Sequence, residues 1–194
     1  MNERDVKKIT RAKAWDILCE HTTKESLIKH ALAVETVMLG YAKKFGEDES
    51  VWGIVGLLHD FDYERWPDPK DHPFKGAEIL RFKGAPEFII RAILSHANYT
   101  NIQRESMLEH VLFASDEITG LIMAATLVLP SKSIFDLNPS SVKKRMKDKA
   151  FARGVNRDDL LNGAKKIEVN MDKHIANVIE FMSTKAEELG LKGK

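Results

Sequence analysis

Apolar residues recur every three or four positions along most of the chain, the period of an α-helix with one buried face. Leu27, Val34, Val37, Met38 and Tyr41 mark one such stripe. Thr22 followed by Glu25 has the form of a capping box, so the stripe predicts a long helix opening there and closing near Gly46. A helix over about residues 11–20 precedes it. Another starts near Asp48 and carries Val51, Ile54, Val55, Leu57 and Leu58 before the apolar run stops on His59-Asp60. Residues 62–73 hold three prolines and a cluster of acidic side chains and read as a loop. Pro73 suits the first position of a new helix, with Asp71 or His72 as its cap and an end near Gly84.

Pro86 opens the next helix, through Ile89, Ile90, Ile93 and Leu94 to about Asn98. A longer one is expected over about 105–129, where Pro130 ends the pattern. Asn138-Pro139 begins a basic helix, SSVKKRMKDKAFARG, closing at Gly154. A last helical region covers about 157–189, with a break at Gly163. No stretch alternates with a strand-like period of two. The expectation is an all-α helical bundle: a single domain over residues 1–194, with a core at about 24–125 and a C-terminal helical extension at about 138–190.

Composition agrees with a globular chain. It is 43% hydrophobic and 30% charged over 194 residues, enough for one domain with a sizeable core. The formal net charge of +1 gives no general attraction to nucleic acid or to a membrane surface. The longest apolar run, residues 121–130, is short of the ~20 that cross a bilayer. The sole cysteine, Cys19, rules out a disulfide within the chain and points to the cytoplasm.

Helical spacing then places polar groups on the inward side. His30 lies three after Leu27 and four before Val34; His96 lies three after Ile93; Asp116 lies four after Leu112. His59 and Asp60 end a buried helix, and His72 stands at a helix start. Alone, His30 or His96 would read as a hydrogen-bonded core histidine, Asp116 as the partner of a buried base and His72 as a cap. His21, His110 and His174 show no such convergence and read as surface or capping residues. Six inward imidazoles and carboxylates are costly to bury unless something shared satisfies them, and a metal centre does so. Imidazole and carboxylate donors suit manganese or iron first, and also zinc, cobalt, nickel or magnesium; the lack of thiolates argues against a structural zinc cluster.

The ordered set His30, His59-Asp60, His72, His96 and Asp116 resembles the HD-domain metal-dependent phosphohydrolase superfamily, and HPFKGAEIL resembles its HDIG-type subgroup. The likeness covers about residues 24–125. It implies an all-α fold and a dinuclear centre. His30, His59, Asp60 and Asp116 would hold the first metal. His72 and His96 would hold a second, weaker one, with Asp60 bridging. The activity implied is hydrolysis of a phosphomonoester or phosphodiester by a metal-bound hydroxide, the substrate being a nucleotide or small phosphometabolite. A minority of similar proteins hold a mixed-valence di-iron pair and act as oxygenases on a polyol or organophosphonate, which is the alternative.

Asp60 and Lys75 are then the candidate catalytic residues. Lys75, Arg65, Lys149 and Arg153 are candidates for contacting the substrate, Lys75 because it lies beside helix N-terminal amides that favour anions. Many HDIG and HD-GYP proteins carry Gly then Lys shortly after the His-Asp pair, whereas this chain reads HDFDYE. Asp62 and Tyr63 stand at those places, where an acidic residue repels a phosphate dianion unless it pairs with Arg65 or a metal-bound water. The absence of a GYP signature implies that cyclic-di-GMP is not the substrate. That leaves the acidic loop, with Tyr63 and Trp66, as a lid or stacking surface.

Overall fold

The computed structural model describes residues 9–148 and 150–193. These form nine α-helices: α1 (Arg11–His21), α2 (Glu25–Phe45), α3 (Glu49–Leu58), α4 (Phe74–Phe82), α5 (Glu87–Ser95), α6 (Met107–Leu127), α7 (Pro139–Lys147), α8 (Arg157–Lys166) and α9 (Met171–Ser183). Short 3-10 turns lie at Asn98–Thr100 and Ile134–Asp136. Among the described residues the only β-type pairing is one isolated bridge, Ser133 to Lys192. The fold is all-α. Backbone contacts divide it into two compact units, Met1–Leu112 and Phe113–Lys194, with the boundary inside α6.

The first unit is built around α3. Asp48 caps it, its carboxylate accepting from the amides of Ser50 (2.9 Å) and Val51 (3.2 Å). Every residue from Val51 to Leu58 is buried, as expected of a helix that is apolar all round. Helices α1, α2 and α5 pack on it. Val55, Leu57 and Leu58 are fully buried, each contributing about 1.5–3 kcal/mol by leaving water. Two glycines let α2 come close. A Cβ at Gly56 would stand 2.8 Å from Met38 Cγ and 3.0 Å from the Glu35 backbone, and one at Gly53 would stand 2.9 Å from Leu39 Cδ2.

Two helix starts differ from expectation. No capping box forms at Thr22: its hydroxyl donates to the Phe61 carbonyl (2.8 Å), and α2 has Lys24 at its cap position without a side-chain bond. Glu64, distant in sequence, accepts instead from the amides of Thr23 (2.8 Å) and Lys24 (2.9 Å). At α4 neither Asp71 nor His72 caps. Pro73 occupies the cap position, following a cis His72–Pro73 bond, and Asp62 Oδ2 accepts the Gly76 amide at 2.8 Å. Both helices therefore take N-terminal acceptors from the segment after His59-Asp60, while Thr22 and His72 are engaged elsewhere. The far end of α2 is as expected, closing on Gly46 in the left-handed region at φ 73°.

In the second unit α9 packs against α7, α8 and the Ile134–Asp136 turn. The basic helix stops at Lys147 rather than Gly154. The Arg157 guanidinium donates to the carbonyls of Asp148, Phe151, Ala152 and Val155, holding a non-helical turn there. The expected break at Gly163 is absent. That glycine lies inside α8, where a Cβ would be 2.6 Å from Ala114 Cα, and the chain breaks after Lys166 instead, with Asn170 capping α9. Helix α6, at 21 residues with a mean hydropathy of 1.2, is longer than the apolar run in the sequence suggests. By length and composition it could cross a membrane, but 61% of the relevant stretch is buried inside the protein, as in a core helix.

Candidate metal centre

The candidate centre begins with two helix ends. His59 follows the last residue of α3, and His96 follows the last residue of α5. The final carbonyls of a helix lack intrahelical donors. Each histidine uses one: His59 Nδ1 lies 2.8 Å from the Gly56 carbonyl, and His96 Nδ1 lies 2.6 Å from the Ile93 carbonyl. A carbonyl only accepts, so each Nδ1 carries its proton. In the neutral ring Nε2 is then the lone-pair nitrogen. Both residues are buried, His59 completely.

His72 reaches the same place from the start of α4. Its Nδ1 lies 2.8 Å from Asp62 Oδ1 and its Nε2 lies 3.2 Å from Asp60 Oδ1. His96 Nε2 is 3.3 Å from that same Asp60 oxygen, and His59 Nε2 is 3.6 Å from Asp60 Oδ2. Three imidazoles thus aim Nε2 at one carboxylate. Burial alone would raise the Asp60 pKa. The charge of His59 and the hydrogen bonds of His72 and His96 outweigh it and hold that carboxyl well below its usual range. Burial opposes a charge on His72, yet hydrogen bonds to Asp60 and Asp62 win and push its pKa up to about 9.

His30 comes from α2, brought near by the close approach at Gly56. Its ring centroid is 5.2 Å from that of His59. One ligand atom each from His30, His59 and Asp60 lies within 4.8 Å of the others, and the same holds for Asp60, His72 and His96. Asp60 belongs to both groups and its side chain keeps 22% exposure, so it stands at the open side of a buried imidazole cluster.

Asp116 is half-buried on α6, one turn beyond Leu112, in the second unit. Lys75 sits in the first turn of α4 with its amine 3.0 Å from Glu78. The anion at that helix start is Asp62 itself, so the Gly76 amide is already engaged. Arg65 donates to the Glu20 carbonyl. Arg153 is exposed in the second unit, off any helix, and Lys149 lies outside the described residues.

The HDFDYE segment is largely built into the fold. Phe61 and Asp62 are buried, Tyr63 sets its ring edge-on to His72 at 5.2 Å, and Glu64 caps α2. His21 and His174 are core residues, not surface ones. His21 is bonded to the Ile17 carbonyl and packed on Phe61, and His174 is bonded to the Ala114 carbonyl.

The donor set fits a divalent metal. Imidazole nitrogens and a carboxylate converge, each of the His59, His72 and His96 rings is oriented through its other nitrogen, and no thiolate is present among them. The family model described as HD domain matches residues 27–123, half of the chain. No solved structure matches it. With that match laid over the His/Asp cluster, the chain belongs to the HD domain family, whose members are generally metal-dependent hydrolases.

Proposed function

We propose that the protein is a metal-dependent phosphohydrolase acting on a phosphoester, with a nucleotide or small phosphometabolite as substrate. The observation that carries this reading is the convergence of His59, His72 and His96 Nε2 on the Asp60 carboxylate. His30, His59, Asp60 and Asp116 would hold one metal, and His72, His96 and the shared Asp60 a second. Asp116 is assigned to this set by its place in the HD pattern. Bound there, a divalent metal pair supplies Lewis acidity that makes water nucleophilic near neutral pH and offsets charge on phosphoryl oxygens.

The protein's own part is positioning. Asp60 presents one oxygen to His72 and His96 and the other toward His59, so it can serve both groups of ligands at once. The carbonyls of Gly56 and Ile93 fix the His59 and His96 rings and keep Nε2 as the donor. Lys75 stands one helical turn along from His72, partly exposed. It is the proposed cationic contact for the substrate phosphate, exchanging its bond to Glu78 for one to the ligand.

The test is a phosphomonoester and phosphodiester screen on protein of known metal content. Wild type loaded with manganese or iron should hydrolyse at least one class, chelator should abolish turnover, and metal should restore it. Asp60→Ala should be inactive because both ligand groups lose their shared member. Metal-loaded protein that cleaves no phosphoester but consumes oxygen with a polyol or organophosphonate would overturn the hydrolase assignment in favour of a di-iron oxygenase.

A further inference from the structure

Asp62 occupies the place where a glycine stands, next to a phosphate-binding lysine, in similar sequences, yet it is 1% exposed and points inward. Its two oxygens have separate tasks. Oδ1 is 2.8 Å from His72 Nδ1, and Oδ2 accepts the Gly76 amide at 2.8 Å. The first bond orients an imidazole whose other nitrogen faces Asp60. The second satisfies an orphan donor in the first turn of α4, the helix that follows His72. One buried carboxylate therefore ties the ring of His72 to the backbone that carries it.

We propose that Asp62 is the positioning residue for the second metal: it keeps the proton of His72 on Nδ1, presents Nε2 as the donor and strengthens that donor with its charge. The inference rests on the metal-site reading above. A carboxylate behind a ligating histidine is worth about 10–100-fold in metal affinity. At His59 and His96 a backbone carbonyl takes that place. The Asp62 effect should accordingly be confined to the His72 side of the centre.

Gly76 is part of the same device. A Cβ there would lie 2.9 Å from Asp62 Cγ, 3.0 Å from Asp62 Oδ2 and 3.0 Å from Phe61 Cε1. Phe61 is fully buried and cannot yield. An alanine at position 76 would therefore push the carboxylate off its partners while leaving its chemistry intact. Asparagine at position 62 acts the opposite way. It fits the space but has one accepting oxygen and one donating nitrogen, so it cannot accept from both His72 and Gly76.

The experiment is a manganese titration of the full chain, reading stoichiometry and the two affinities, on wild type, Asp62→Asn, Gly76→Ala, His72→Ala and the His72→Ala/Asp62→Asn double variant. Asp62→Asn and Gly76→Ala should each weaken the second site about 10–100-fold and leave the first unchanged. Adding Asp62→Asn to His72→Ala should cost no further metal affinity, since Asp62 acts only through that ring.

A second measurement needs no variant. The nitrogen NMR signals of His72 in wild type loaded with diamagnetic zinc should show a protonated Nδ1 and an unprotonated Nε2. Two metals bound with unchanged affinities in both Asp62→Asn and Gly76→Ala, or a His72 ring protonated on Nε2, would overturn the role of Asp62 alone. A wild type that binds no manganese would instead overturn the metal-site reading beneath it.

Discussion

Metal uptake on the His72 side should expel a proton, and the size of the effect follows from the geometry. Without metal, His72 lies between Asp60 and Asp62, and its pKa is raised from 6.5 to about 9. At pH 7 the ring is therefore charged and Nε2 carries a hydrogen facing Asp60. A metal can take that position only after the hydrogen leaves. The apparent affinity at pH 7 is then lower than the limiting value by about two pH units, ~100-fold or roughly 2.7 kcal/mol. Between pH 7 and pH 8 it should rise ~10-fold, levelling off above pH 9.

The same shift governs stability without metal, with the opposite sense. A raised folded-state pKa contributes stability that is fully present below 6.5 and is lost as pH rises through about 9. Its size is on the order of 3 kcal/mol. Calorimetric titration of metal-free protein with manganese in two buffers of different ionisation enthalpy measures the proton count directly. About one proton per second-site metal is expected at pH 7, together with a melting temperature for the metal-free protein that falls from pH 6.5 to 9. Uptake without proton release at pH 7, or an affinity flat between pH 7 and pH 8, would refute the placement of a charged His72 between Asp60 and Asp62.

Two packing predictions follow. Gly56→Ala would drive a Cβ to 2.8 Å from Met38 Cγ and 3.0 Å from the Glu35 backbone. The overpacking should cost about 1–3 kcal/mol in urea unfolding and weaken the first metal site, because α2 carries His30. Glu64→Ala removes the acceptor for the Thr23 and Lys24 amides and the Thr23 hydroxyl. It should cost ~1 kcal/mol in unfolding, as loss of a helix cap does, with metal stoichiometry unchanged.

Much of the helical layout was legible because burial imposes its period on the residues. The stripe through Val34, Val37, Met38 and Tyr41 is buried, and Asp48, Gly46 and Pro86 mark helix ends as their backbone chemistry demands. His30, His59, His72 and His96 were legible for a related reason: an imidazole in an apolar stripe needs a partner. The failures share a different cause. Thr22 and His72 were expected to cap the helices nearest to them, but each has a tertiary option no local pattern reveals. Thr22 turns to the Phe61 carbonyl, and His72 turns to Asp60 and Asp62. The basic helix was extended to Gly154 because side-chain pattern alone cannot show that Arg157 collects four carbonyls from a turn there.

Asp62 shows where reading by position stops. Two residues after Asp60 in an acidic stretch, it has the look of a solvated loop carboxylate that would repel a phosphate. The fold gives the same charge an inward direction. Phe61 is anchored in the core, the chain turns, and α4 returns with His72 Nδ1 and the Gly76 amide aimed at one side chain. The only local trace is Gly76, in a helix where alanine would be the better helix former by about 1 kcal/mol. A glycine kept at that cost marks a close approach, and the group approached is Asp62. A buried carboxylate is tolerable only when its oxygens are satisfied, and here the two donors are the ring of His72 and the backbone four residues on. The charge that seemed unsuited to a phosphate site is thereby committed to the imidazole, not to the substrate.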